Sequence, residues 1–114
     1  DKFNYLCTLL YMRPVMVFII NKKETLHGLL LVITDKAILG KYLEEGKRQL
    51  DLRKHFYQGS EASKEETKKM LTTARHLHVT GKEAVALLIE MDIISSRQII
   101  FVKDVPHAEV VMGE

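Results

Sequence analysis

Residues 63–92 read SKEETKKMLTTARHLHVTGKEAVALLIEMD, and the periodicity of this stretch sets the architecture expected for the whole chain. Ser63 and Glu66 have the spacing of a capping box, in which each side chain satisfies the other's free backbone amide. Met70, Leu71, Ala74 and Leu77 then fall on one helical face, so a helix is expected from about Ser63 to Leu77. Thr80 and Glu83 repeat the capping-box spacing. The run EAVALLIEM that follows is apolar nearly all round and predicts a largely buried second helix ending near Asp92.

Working outward, Val15 to Asn21 is rich in β-branched and aromatic residues and predicts a strand. Leu26 to Thr34 contains LLLVI, too continuous for a strand with one wet face, and reads as central in a sheet. The two form a hairpin across Asn21 to Thr25, and Gly28 marks a bulge or a close backbone approach. Thr34 or Asp35 can cap a short helical turn within TDKAILGK, with Gly40 in a left-handed cap. Arg48 to Arg53 alternates like an edge strand. Ile99 to Val102 reads as a central strand, and Pro106 turns the chain so that His107 reaches the sheet rim before an edge segment at Ala108 to Met112. This order predicts an α+β fold, a two-layer sandwich in which two consecutive helices pack on one face of a small mixed or antiparallel sheet.

A chain of 114 residues, 46% hydrophobic and 28% charged, is one globular domain in size and composition. The domain is expected over residues 16–114, with 1–15 as a poorly ordered extension or an upstream misread. One cysteine cannot close an internal disulfide, which points to a reducing cytoplasm. The amino-terminal FNYLCTLLYMRPVMVFII is interrupted by Asn4 and Arg13-Pro14, so no membrane span is expected. A net charge of +2 is too small to imply nucleic acid by itself, and nothing in the sequence fixes an oligomeric state.

The segments LLLVITDKAILGKYLEEG, HFYQGSEAS, VTGKEAVALLIEMDII and VPHAEVV resemble, in this order, those of a small archaeal family known as a domain of unknown function, DUF424. The resemblance runs over roughly Met16 to Val111 and rests on Asp35, Leu39-Gly40, Phe56-Tyr57 with Gly59, Gly81 before Ala84-Val85, and Pro106-His107-Ala108. Family members often carry cysteine where this chain has Thr34 and asparagine where it has His78. The resemblance implies a cytoplasmic housekeeping protein and, by analogy with other small archaeal proteins, an association with translation.

Two kinds of site are legible. Lys47, Arg48, Arg53 and Lys54 precede Phe56 and Tyr57, which is the composition an RNA surface uses for phosphate contact and base stacking. The first expectation is therefore a noncatalytic protein binding structured RNA or the ribosome. The alternative is a small enzyme or ligand-binding protein whose pocket gathers Asp35, Tyr57 and His107. No cofactor is expected: VTGKEA lacks the upstream glycine and the Ser or Thr after lysine that a phosphate loop needs. No metal ligands are assigned either, because His76 and His78 at a helix end would not share a helical face.

Overall fold

The computed structural model describes residues 17–112; the expected extension at 1–15 lies outside them. In chain order the strands and helices are β1 (Val17–Thr25), β2 (Gly28–Asp35), β3 (Tyr42–Glu45), β4 (Arg48–Asp51), β5 (Ser60–Ser63), α1 (Lys64–Leu71), β6 (His76–Thr80), α2 (Lys82–Glu90), β7 (Ile100–Val102) and β8 (Val105–Val111). Six strands form one mixed sheet in the order β5-β1-β2-β6-β8-β7, and β3 pairs with β4 in a separate hairpin. The only parallel pairing described is β2 with β6. The fold is α+β, as the sequence predicts.

The expected helix over 63–77 begins as predicted and ends early. Ser63 Oγ accepts from the Glu66 amide at 3.1 Å, and Glu66 accepts from the Ser63 amide at 3.1 Å, so the capping box is intact. After Leu71 the hydroxyls of Thr72 and Thr73 donate back to the carbonyls of Lys69 and Met70, closing the last turn. His76 to Thr80 then alternates half-buried histidines with fully buried Leu77 and Val79 and forms a strand at the centre of the sheet. Leu71, Ala74 and Leu77 are buried as a helix would have them, but Leu77 reaches the core from a strand.

Strand alternation divides the sheet into two faces. Phe18 and Ile20, Leu31 and Ile33, Leu77 and Val79, and Ala108 and Val110 point to one side and pack under α1 and α2 with Leu71, Ala84, Val85, Leu87 and Leu88. The opposite side carries Val32 and Thr34 from β2, His78 and Thr80 from β6, and His107 and Glu109 from β8. The β3–β4 hairpin and the 3-10 turn His55–Tyr57 lie over this second side, bringing buried Leu50 and Leu52 and half-buried Phe56 against it. Asn21 Nδ2 ties the turn down by donating to the Phe56 carbonyl at 2.9 Å.

Three further expectations change. The first hairpin does not turn at 21–25: β1 runs on to Thr25, the turn is Leu26-His27, and Gly28 (φ +108) lies so close to Arg75 that a Cβ would clash with its side chain. Ile100–Val102 is an edge strand rather than a central one, joined to β8 by a tight turn in which Lys103 and Asp104 both have positive φ. Pro106 does not turn the chain out to the rim; it lies inside β8, buried, and His107 is only 6% exposed. The proline is tolerated because the ladder with β6 begins one residue later, at His107 opposite Thr80, and Pro106 needs only its carbonyl, which accepts from the Gly81 amide.

Candidate functional site

The three residues expected to share a pocket separate onto the two faces of the sheet. Asp35 closes β2 on the helix side, and its carboxylate accepts from the amides of Glu83 (2.9 Å) and Ala84 (2.8 Å). It therefore caps α2, the role expected of Thr80. Burial raises its pKa above the usual carboxylate value, and the two amides oppose that shift. Gly81, at φ +114, has no room for a Cβ because the Asp35 carboxylate packs against it. Asp35 is thus a structural anchor, and it does not face Tyr57 or His107.

Tyr57 and His107 do converge. Both line an open cleft of about 460 Å³ between the β3–β4 hairpin, β8 and the segment around Gln98, together with Gln49, Ile100 and Glu109. Behind it the polar row of the second face assembles across strands: Thr80 stands opposite His107, and His78 opposite Glu109. Thr80 Oγ1 and His107 Nδ1 are 2.8 Å apart. The other ring nitrogen of His107, Nε2, lies 3.5 Å from Glu109 Oε1, and His78 Nδ1 lies 3.4 Å from the same oxygen. The His78 and His107 rings meet edge to face at 6.1 Å, and Phe56 packs edge-on against His78 at 5.1 Å.

Burial dominates the electrostatics here. It pushes both histidines below the ordinary imidazole pKa, against the pull of Glu109, and so favours neutral rings. It also raises the Tyr57 phenol, helped by the negative charges of Glu109 and Asp51. The Tyr57 hydroxyl has no hydrogen-bond partner among the described residues and is available to a ligand.

Of the residues expected to face RNA, Lys47, Arg48, Arg53 and Lys54 are exposed, while Phe56 and Tyr57 are half-buried and meet edge to face at 5.2 Å. Arg53 is held by Asp51 at 2.7 Å and lies over the Tyr42 ring, and Arg48 donates to the Phe101 carbonyl at 3.3 Å. A strand rather than a helix end carries His78, so its ring meets Glu109 of the neighbouring strand, a contact that spacing along the chain does not reveal.

A model of the family described as "Protein of unknown function (DUF424)" matches residues 23–112. The solved structure of an uncharacterized conserved protein from Methanopyrus kandleri is similar to this one with a TM-score of 0.72 at 19% identity, covering 86% of this chain and 95% of that one. At that identity the likeness is one of fold. No curated protein matches the chain. Among the described residues no helix is long and apolar enough to cross a membrane.

Proposed function

Because the chain belongs to the DUF424 family, whose description names no activity, we propose that it is a small-molecule-binding protein working through the Tyr57–His107–Glu109 cleft. One observation carries this reading: side chains from two separate parts of the chain, the His55–Tyr57 turn and β8, bring a phenol, an imidazole and a carboxylate to one 460 Å³ concavity, within the range of small-ligand sites. Gln49 and Gln98 add amide donors and acceptors at its walls, and Ile100 an apolar edge. Its lining contains no lysine or arginine among the described residues, so it suits an uncharged or cationic polar molecule better than a phosphate or carboxylate. The single cysteine of the sequence supports a reducing, cytoplasmic setting.

The RNA reading has weaker support, since Arg53 is already paired with Asp51 and Phe56 packs edge-on against His78. Ligand-observed NMR separates the two. In the presence of a chelator, a fragment set of amides, alcohols, amines, carboxylates and phosphates is expected to give binders among the first three classes. Tyr57→Phe should weaken them roughly tenfold, the worth of one lost hydrogen bond of about 1.4 kcal/mol. Binders confined to the anions, or indifferent to Tyr57→Phe, contradict the cleft reading. Structured RNA bound at low salt, lost in Arg48→Glu with Lys54→Glu and unaffected by Tyr57→Phe, would move the function to the hairpin.

A further inference from the structure

We propose that His78, His107 and Glu109 form a binding site for one divalent first-row transition ion of the zinc class. The inference goes beyond the cleft reading and needs only these three side chains. Their donor atoms all lie within 4.8 Å of one another. The distances of 3.4 and 3.5 Å from Glu109 Oε1 to the two ring nitrogens are too long for good N–H···O hydrogen bonds. They match the spacing of roughly 3.3 Å between neighbouring ligands on a tetrahedral ion whose bonds are ~2.0–2.1 Å.

One ion placed between them would take a lone pair from each ring and one from the carboxylate at these spacings. The donor set, two imidazoles and one carboxylate, is that of borderline d-block ions rather than of calcium or magnesium, which take oxygen ligands.

The surroundings prepare the site. Thr80 Oγ1, 2.8 Å from His107 Nδ1, can accept the proton of that nitrogen and so leave the Nε2 lone pair directed at Glu109. Phe56 packed on His78 restricts that ring. All four polar residues stand on two adjacent strands paired Thr80–His107 and His78–Glu109, so the backbone ladder itself fixes their spacing. His107 and Glu109 also line the cleft, so the remaining coordination position opens toward it. There the ion supplies the positive charge that the lining lacks and can receive a ligand oxygen or nitrogen.

The test is calorimetric titration of tag-free, chelator-stripped full-length protein with zinc and, separately, cobalt. The expected result is saturation at one ion per chain. Glu109→Gln and His78→Ala should each weaken binding by about 100-fold or more, because loss of outer-shell partners alone costs ~10–100-fold. Thr80→Val is such an outer-shell change and should fall within that range, while His27→Ala, at the β1–β2 turn, should bind as wild type. Glu109 is largely exposed and on the surface of its strand, so circular dichroism of Glu109→Gln should match wild type and separate lost ligation from lost fold. No zinc or cobalt bound, or binding retained in both Glu109→Gln and His78→Ala, overturns the proposal. A chain that binds fragments in chelator but takes no ion leaves the cleft reading standing; one that takes the ion with an empty fragment screen does the reverse.

Discussion

Leu77→Ala is expected to destabilise the protein by about 2–5 kcal/mol, the cost of leaving a cavity where a large buried side chain was removed. Leu77 has no exposed surface and lies between Leu31 of β2 and Val110 of β8 under the helices. The strand bearing it is the one that joins the two halves of the sheet, so nothing nearby can collapse into the gap without shifting a ladder. Urea unfolding should show a lower midpoint with an unchanged slope, and Tm should fall by roughly 10 °C or more. A loss under about 1 kcal/mol would mean that the centre of the sheet is loosely packed.

Asp35→Ala should cost nearly as much, about 2–4 kcal/mol, by a different route. It removes a helix cap and leaves the Glu83 and Ala84 amides without their acceptor at a partly buried helix start, and each such orphan costs about 1–3 kcal/mol. Asp35→Asn keeps one oxygen acceptor and should recover roughly half of the loss. Both variants should bind fragments and zinc as wild type at temperatures where they remain folded, since Asp35 is on the opposite face of the sheet from the cleft. Loss of cleft binding without loss of fold in Asp35→Asn would mean that the two faces are coupled.

What the sequence disclosed depended on how local each determinant is. The Ser63–Glu66 capping box was legible because both partners sit within one turn. The cap of α2 was not, because the acceptor comes from Asp35, 48 residues before Glu83, while the nearby Thr80 spends its hydroxyl on His107 instead. The end of α1 was hidden because Leu71, Ala74 and Leu77 keep a three-residue spacing while the backbone changes from helix to strand. The signal available was the strict alternation His76-Leu77-His78-Val79, with β-branched Val79-Thr80 and the paired threonines 72 and 73 before it. A proline reads as the end of a strand, although in β8 it stands opposite Phe101 one residue before the ladder with β6 begins and is tolerated there.

The site was half legible for the same reason. Tyr57 and His107 were singled out by residue type, and they do share a cleft. Asp35 falls on the other face because it lies one residue past Thr34 in the alternation of β2, and residues 31–35 of that strand are buried on both sides, so no apolar–polar pattern marks which way each one points. His78 and Glu109 are 31 positions apart and meet only because β6 and β8 pair in one register. Neither carries a motif, so the cluster became visible only with the topology.

Everything proposed for this molecule rests on His76–Thr80 being a strand beside β8. The most direct measurement is a nuclear Overhauser spectrum of the labelled protein focused on the His78 ring. The account predicts cross-peaks from His78 to the Phe56 ring and to Glu109, with strong sequential Hα–HN contacts through residues 76–80. Helical contacts from residue i to i+3 across Arg75 to His78, with no contact from His78 to Glu109 or Phe56, would contradict it.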